Sequence, residues 1–360
     1  MSNRVEELDL LRAISIIGVV IIHVFSNFVY DGSHPGLAIY SLVLSQWARF
    51  SVPVFLFVSG ASLTIAHSHN FNYRRFLLRR FRIILVPYFF WSLVFEFNKG
   101  NMNSFSFHGL SHILSDLVQG NSPSEYYFIP MIMQFYLLYP LFLRVSAIKK
   151  ELALVTILFA VIQILAIFID TVLETSYGAK PPHAIEGFFP LWIFYFALGC
   201  LWWSLRQNFE SASPPQLLLK ILLIVFSLTI LPFKFLFVVG MIGAPRYVIN
   251  QETQYFRGEM LSFFVLSLPL LWYFAEAIKC KGGFWFKSTL KVLGRYSFGI
   301  YLVHLLFINF VISVSMKADN DFLECILLTL GVPFVVGVSM ALLWFLEKIP
   351  IFCEISTLVR

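Results

Sequence analysis

The first apolar segment of the chain carries three side chains that could handle an anion and a proton. Asp9 and Arg12 are three residues apart, and His23 follows eleven residues after Arg12. Residues three apart share a helix face, and eleven residues make about three turns, so Arg12 and His23 lie on one stripe, roughly 16 Å apart. A neutral imidazole in apolar surroundings is suited to general-base proton transfer, and Arg12 to anion binding. The structural alternative is an arginine that reaches lipid headgroups and a histidine hydrogen-bonded to a neighbouring helix.

A second group of chemically capable residues is a run of five arginines between residues 74 and 82. Arginine forks bind phosphate through two parallel hydrogen bonds, so the run indicates a ligand that carries phosphate. Anionic lipid and the usual excess of basic residues on the cytoplasmic side explain the run equally well, and both explanations stay open. The members are Arg74, Arg75, Arg79, Arg80 and Arg82.

Further polar residues interrupt apolar segments. Ser297, Tyr301 and His304 follow the spacing i, i+4, i+7, which predicts one polar stripe on a helix. Ionisable groups within a membrane span cost several kcal/mol, so Arg49 and His304 are expected to face a cavity or a partner. A structural hydrogen bond between helices remains the alternative for His304.

Four other positions complete the candidate site. The small residues Ser59 and Gly60 would let a thin ligand, or equally another helix, approach the backbone closely. Glu125 and Arg257 are assigned to the cavity from their expected burial alone. No metal is predicted, because Cys, His and carboxylate residues do not follow ligand spacing.

The surrounding chain has the composition of an integral membrane protein. Of its 360 residues, 59% are hydrophobic and 13% are charged, whereas average soluble domains contain about a quarter charged residues. This excludes a disordered chain, a disulfide scaffold and an ordinary cytosolic enzyme. Spanning helices need roughly 20 apolar residues, far longer than the strands of a membrane barrel. About ten such stretches occur, near 8–30, 37–66, 76–97, 124–145, 152–170, 188–205, 217–239, 256–277, 292–315 and 322–346.

The distribution of basic residues predicts the orientation of these helices. With the N-terminus in the cytoplasm and ten spans, seventeen Lys and Arg residues fall on the inner side and five on the outer side. This bias follows the positive-inside rule. We therefore predict an all-α polytopic membrane protein with both termini cytoplasmic, formed as one transmembrane domain over 1–360 with no separate soluble domain. Its basic residues are expected to contact membrane lipids, and we infer no binding of nucleic acid.

Five segments in chain order resemble the acyltransferase-3 family of integral membrane acyltransferases. The first joins residues 7–14 to His23 through the spacing Arg-x10-His, formed here by Arg12 and His23. Arg79 and Arg82 form a second motif, Arg-x-x-Arg, which is followed by Pro87. The remaining segments are 55–60, 127–140 and 297–304.

The resemblance implies an O-acyltransferase, in most cases an O-acetyltransferase, of cell-envelope glycans in the bacterial cytoplasmic membrane. It implies cytoplasmic acyl-CoA as the donor, and it makes Arg12 with His23, and Arg79 with Arg82, the matching functional pairs. Some members carry a fused extracytoplasmic hydrolase-like domain that completes transfer. None is expected here, so the chain would act alone, pass the acyl group to a separate extracytoplasmic acyltransferase, or modify a lipid-linked glycan.

A mechanism can be stated as a hypothesis. The arginines of 79–82, together with Arg12, would hold the phosphates of acetyl-CoA at the cytoplasmic face. The pantetheine arm would pass Ser59 and Gly60 towards His23. His23 would deprotonate an acceptor hydroxyl or briefly carry the acyl group itself.

Two other classes of protein compete with this enzyme. An exporter or flippase of a lipid-linked glycan would use the same polar residues as a path and would need no acyl donor. The arginine cluster at one mouth favours the enzyme, because a transport path needs polar groups along its full depth. A non-catalytic membrane scaffold does not explain His23, Arg49 and His304 within spans.

Overall fold

The computed structural model describes residues 5–29, 34–67, 71–98, 115–118, 120, 123–146, 152–177, 187–210, 258–318 and 320–349. Within these ranges the chain forms helices and turns and no strand, which confirms the all-α prediction for this part of the molecule. The predicted span 217–239 and the candidate residue Arg257 lie outside the described residues.

The principal α-helices follow the predicted apolar stretches closely. In chain order they are α1 (Glu6–Phe25), α2 (Pro35–Trp47), α3 (Ser51–Ala66), α4 (Tyr73–Asn98), α5 (Phe128–Ser146), α6 (Leu152–Tyr177), α7 (Ile193–Glu210), α8 (Gly258–Lys281), α9 (Phe284–Val303), α10 (Leu305–Ser315) and α11 (Asp321–Leu346). Short 3₁₀ turns occupy Ser26–Phe28, Ala48–Phe50, Ser124–Tyr127 and Phe189–Trp192.

Several of the described helical segments are long and apolar enough to cross a membrane. Five satisfy this criterion alone, and six do so if the bent pair α9 and α10 forms one span. The five are Glu6–Phe28, Pro35–Ala66, Glu125–Arg144, Met260–Lys281 and Asp321–Leu346. Shorter apolar helices, Leu154–Asp170 and Phe189–Trp202, lie where two further spans were predicted. The chain is thus a polytopic membrane protein, while the count of about ten spans and the cytoplasmic termini stay predictions.

The described chain divides into two compact units, with a boundary inside α3 between Val58 and Ser59. The first unit comprises Met1–Val58 and Gln207–Phe345. Its central element is α1, which packs against α2, α8, α9, α10 and the 3₁₀ turn Ala48–Phe50. A mostly apolar surface makes this possible, since α1 buries residues on every side rather than on one stripe.

Two glycines let α1 approach its neighbours closely. A Cβ atom on Gly294 of α9 would lie 2.1 Å from the backbone oxygen of Asp9. A Cβ atom on Gly18 would lie 2.0 Å from the Oγ of Ser51, at the start of α3. Small residues serve membrane helices in this way, because packing rather than water exclusion holds such helices together. The backbone around Asp9 is therefore fixed by direct contact with α9.

Ion pairs fix the first turn of α1 as well. Glu7 is buried and accepts a hydrogen bond from Nζ of Lys279 at 2.8 Å. Glu6 pairs with Lys291 at 2.6 Å and with Lys287 at 3.4 Å. These lysines flank the junction between α8 and α9. The acidic start of α1 is thereby held in register with two other helices of its unit.

The helix predicted over 292–315 is bent within its length. The axes of α9 and α10 differ by 75°, and the break falls at His304. At this point Nδ1 of His304 lies 2.7 Å from the carbonyl oxygen of Tyr301 and 3.1 Å from that of Ile300. A side-chain donor can satisfy carbonyls that lose amide partners where a helix ends. Broken helices inside membrane proteins commonly border functional cavities.

The second unit comprises Ser59–Arg206 and Leu346–Arg360. Within it α4 packs on α5, and a core of aromatic rings joins α5 to α7. Phe135 stacks on Phe196 with ring centres 4.7 Å apart, and Phe142 meets the same ring edge-on. Offset and edge-to-face contacts of this kind stabilise a core beyond simple burial.

Candidate active site

The pair Asp9 and Arg12 forms one end of the candidate site. The two residues lie one turn apart on α1, as predicted, and Nη1 of Arg12 donates to Oδ1 of Asp9 at 2.7 Å. Asp9 is buried and Arg12 is half-buried. A guanidinium has five N–H donors, so it can hold one carboxylate and bind a second anion at the same time. Asp9 thus orients Arg12.

The two intramembrane histidines meet in the first unit. The rings of His23 and His304 are 5.3 Å apart between centres and inclined by 45°. His304 is fully buried, and His23, on α1, is half-buried. Tyr301 stacks near His304 with ring centres 6.0 Å apart. Two helices that are far apart in sequence therefore supply one polar cluster, of which His304 is the fully buried member.

Arg49 belongs to the same cluster, although it does not lie on a regular helix. The predicted stretch 37–66 is interrupted by the 3₁₀ turn Ala48–Phe50, and this turn packs against α1. There Arg49 is half-buried, and its charge acts on His23. The first unit thus brings four of the predicted cavity and catalytic residues together: His23, Arg49, Tyr301 and His304.

Apolar side chains enclose this cluster beyond His23. A core of buried residues joins the second half of α1 to α2, α10 and α11. Val20 and Val24, which flank His23 along the helix, belong to it. Ser297, the third member of the predicted polar stripe, donates to the carbonyl of Gly294 within its own helix. The polar cluster is therefore confined to few residues, and apolar walls strengthen electrostatic interactions inside it.

The arginine run lies at the start of α4, in the second unit. Arg74, Arg75, Arg79 and Arg82 are exposed, whereas Arg80 is half-buried. The guanidinium of Arg80 lies 5.6 Å from the ring centre of Phe76 and 5.5 Å from that of Tyr136, at cation–π distance. The run therefore presents one arginine held by aromatic rings among several arginines that reach solvent.

His67, close to the arginine run, is a residue that the sequence analysis missed. It follows the last residue of α3 and contacts the rings of Phe76 and Tyr139. Its Nδ1 donates to the carbonyl of Leu63 at 3.0 Å. Burial lowers the pKa of His67, and the charges of Arg80 and Arg79 lower it further against the opposing effect of the Leu63 bond. The arginines, rather than His67, thus carry the positive charge near neutral pH.

The remaining predicted residues fall in different places. Gly60 lies against α7, where a Cβ atom would meet the backbone oxygen of Phe196 at 2.3 Å, so its small size serves helix packing. Ser59 is half-buried beside it on α3. Glu125 lies half-buried in the 3₁₀ turn before α5. Among the described residues, no three His, Cys, Asp or Glu side chains lie close enough to bind a metal ion.

Comparison with known proteins defines the class of this protein. Residues 5–346 match the acyltransferase-3 family, whose shared region is described as an acyltransferase domain. The chain belongs to this family, and it is a membrane enzyme of the O-acyltransferase type. The resemblance seen in its motifs is thereby confirmed.

Individual relatives are similar over nearly their whole length. A "Probable poly-beta-1,6-N-acetyl-D-glucosamine export protein" of Staphylococcus aureus strain MSSA476 is 23% identical, over 96% of this chain and 94% of the relative. The protein of the same name from strain MRSA252 is 22% identical over the same shares. A "Putative membrane-bound acyltransferase YfiQ" of Bacillus subtilis strain 168 is 24% identical, over 87% of this chain and 84% of the relative. No solved structure matches the chain.

Proposed function

We propose that this protein transfers an acyl group, in the first instance acetyl, from cytoplasmic acyl-CoA to a hydroxyl of a cell-envelope polysaccharide or lipid-linked glycan. The reaction takes place in the bacterial cytoplasmic membrane, and a separate extracytoplasmic acyltransferase can serve as an intermediate acceptor. The observation that carries the proposal is the cluster of His23, His304 and Arg49 in a chain of the acyltransferase-3 family.

The donor site follows from the arginines of α4. Acyl-CoA carries several phosphate charges, and these do not enter a bilayer. Exposed guanidiniums bind phosphate through paired hydrogen bonds. Arg79 and Arg82 are exposed one turn apart, and the aromatic contacts of Arg80 restrict its side chain. These three arginines bind the phosphates of the donor.

The chemistry follows from His23. Its imidazole takes the proton of the acceptor hydroxyl while that oxygen attacks the thioester carbonyl. The carbon–sulfur bond breaks, and the departing thiolate receives the proton from His23, which yields an ester and free CoA. A positioned general base contributes about 10²–10⁴-fold to such a reaction. Arg49 supplies positive charge beside the base, where negative charge develops on the carbonyl oxygen.

Export of a glycan is the second candidate function. The names of the Staphylococcus aureus relatives favour it, because they describe export of poly-β-1,6-N-acetylglucosamine. An exporter would need no acyl donor, and substitution of a proton-transfer residue would not remove ester groups from the product.

A cell-based comparison separates the two functions. Strains with wild-type protein, His23→Ala or a gene deletion are compared for the amount of glycan at the surface and for its ester-linked acyl groups. Acyl transfer predicts that His23→Ala leaves surface glycan in place and removes its acyl groups. A fall in surface glycan with an unchanged acyl content per sugar would instead establish export. His34→Ala is the matched control, because His34 is an exposed histidine paired with Asp321.

A further inference from the structure

The junction between α8 and α9 carries three consecutive aromatic side chains that are largely exposed. Phe284, Trp285 and Phe286 form the first turn of α9, and they are 79%, 82% and 55% exposed. The rings of Phe284 and Trp285 meet edge to face, with centres 5.9 Å apart. Successive residues of a helix point about 100° apart, so the three rings surround the start of α9 rather than line one face. We call these three residues the aromatic tip, and contiguous exposed apolar groups of this kind mark a surface that interacts with a partner.

Basic residues accompany the aromatic tip. Between residues 277 and 295 the sequence contains no Asp or Glu and five basic residues, which are Lys279, Lys281, Lys287, Lys291 and Arg295. Three of these lysines pair with the acidic start of α1, as described above. The other two, Lys281 and Arg295, are exposed and form no ion pair with a described residue. Lys281 lies three residues before Phe284, so its charge is available to an anionic partner of the tip.

The length of α8 sets the tip at the level of a membrane surface. The candidate span Met260–Lys281 ends three residues before Phe284. Headgroup layers increase the thickness of a bilayer from about 30 Å of hydrocarbon to about 40–45 Å in total, so a turn that directly follows a span lies among headgroups. Tryptophan rings are enriched at this depth, and lysine side chains reach from it towards the charged groups.

We propose that the aromatic tip and Lys281 form a binding surface for anionic phospholipid headgroups. The rings of the tip lie in the interfacial layer, and the ammonium group of Lys281 pairs with the charged headgroup beside them. A zwitterionic lipid offers the rings the same apolar contact without a net charge. Each Lys or Arg near an anionic surface strengthens binding about fivefold, so the surface prefers anionic lipid. The proposal does not depend on acyl transfer.

A soluble protein is the other partner that could cover three aromatic rings. Two observations favour lipid. The span of α8 leads directly into the tip, and a protein that bound there would have to compete with the headgroups around it. The basic residues of 277–295 are not balanced by acidic residues in that segment, which matches the negative charge of a lipid surface.

The test measures how lipids carrying bromine on their acyl chains quench the fluorescence of Trp285. The full-length protein is reconstituted in vesicles of phosphatidylcholine and phosphatidylglycerol, and an equal fraction of either lipid is brominated while the composition stays constant. The difference between wild type and Trp285→Phe gives the emission of Trp285. Trp344→Phe gives the same difference for an exposed tryptophan of α11, which has one acidic and one basic residue nearby, Glu347 and Lys348.

We expect brominated phosphatidylglycerol to quench Trp285 about twofold or more as strongly as brominated phosphatidylcholine, and the two lipids to quench Trp344 alike. Lys281→Gln should bring the ratio for Trp285 close to one. Arg295→Gln is the matched control and should preserve the ratio, because Arg295 lies about 16 Å further along α9, beyond the range of screened charges. Thermal unfolding of both variants shows that the fold is retained.

Three results would overturn the inference. Equal quenching of Trp285 by the two lipids would remove the preference for anionic headgroups. An absence of quenching by either lipid would remove the tip from the membrane, as a protein partner at this surface predicts. An equal fall of the ratio in Lys281→Gln and Arg295→Gln would replace a site at the tip with a general attraction of the protein for anionic lipid.

Discussion

At the scale of single residues, the first unit combines an arginine held by a carboxylate with two neighbouring histidine rings. Asp9 holds Arg12, and the break in the late helix brings His304 to His23. In the second unit, aromatic rings hold Arg80 of α4, whereas the other arginines of the run are exposed to solvent. A residue that binds the donor and a residue that takes part in the chemical step affect different kinetic constants. Single substitutions can therefore distinguish the proposed roles.

The exposed arginines should affect the donor rather than the chemical step. Arg79→Gln or Arg82→Gln removes a charged hydrogen bond to phosphate, which is worth about 1.5–3 kcal/mol. We expect KM for acyl-CoA to rise about tenfold or more, with little change in kcat. Steady-state kinetics at fixed acceptor checks this. Arg74→Gln is the control, and an equal rise in its KM would show that the run attracts anions only in a general way.

Asp9 should act through Arg12. Asp9→Asn keeps the size of the side chain and removes the charge that orients the guanidinium. We expect kcat/KM to fall by about tenfold or more, because orienting partners of functional groups have effects of that size. Arg12→Lys should fall similarly, since an ammonium cannot form the same fork. Wild-type kcat/KM in Asp9→Asn would contradict an orienting role.

At the scale of helices, the sequence predicts the elements better than their interruptions. Long apolar stretches locate α4, α5 and α11 within a few residues, because burial and length dominate in such segments. The bend at His304 is not predictable from periodicity, since it depends on a bond from a side chain to the backbone. The turn that carries Arg49 is missed for a similar reason, because its flanking residues are as apolar as those of a helix.

The contacts between helices could not be predicted from the sequence either. The spacing on α1 predicts that Asp9, Arg12 and His23 share one helix, which is confirmed. The meeting of His23 with His304 requires knowing that α1 packs against α9, and nothing local encodes that. Gly294 gives the one usable hint, because a glycine in an apolar helix indicates close approach of another backbone.

Helix packing at Gly294 yields a stability prediction. In Gly294→Ala the new methyl group would overlap the backbone oxygen of Asp9, which cannot move aside as a side chain can. We expect a loss of about 1–3 kcal/mol in the free energy of unfolding. Thermal unfolding in detergent or nanodiscs measures it. Gly337→Ala on α11 is the control, because its Cβ position has no neighbour within 4 Å beyond the adjacent residues and backbone of its own helix. Unfolding at a lower temperature than wild type in both variants would contradict the packing argument.

At the scale of the whole molecule, the proposed reaction depends on the orientation of the protein in the membrane. Cytoplasmic acyl-CoA requires the arginine run of α4 on the inner side. The distribution of basic residues predicts this side for residues 74–82 and likewise for the junction of α8 and α9. Cys280 is exposed at that junction, so its accessibility reports the orientation directly.

A thiol-labelling experiment checks the orientation. In a variant that keeps only Cys280, a membrane-impermeant maleimide should label inverted membrane vesicles and leave intact cells unlabelled. The permeant reagent applied to intact cells controls for reactivity of the thiol. Labelling of intact cells by the impermeant reagent would place the junction outside and would reverse the predicted topology.

The central claim is that His23 drives acyl-CoA-dependent transfer to a glycan. The most direct measurement is release of free CoA from acetyl-CoA by the purified protein in nanodiscs, with a bacterial envelope glycan fraction as acceptor, for wild type and His23→Ala. A transfer reaction driven by His23 predicts release that requires both the glycan and His23, while His23→Ala still binds acetyl-CoA. Release by His23→Ala at the wild-type rate, or a wild-type protein that neither binds acetyl-CoA nor releases CoA, would contradict it.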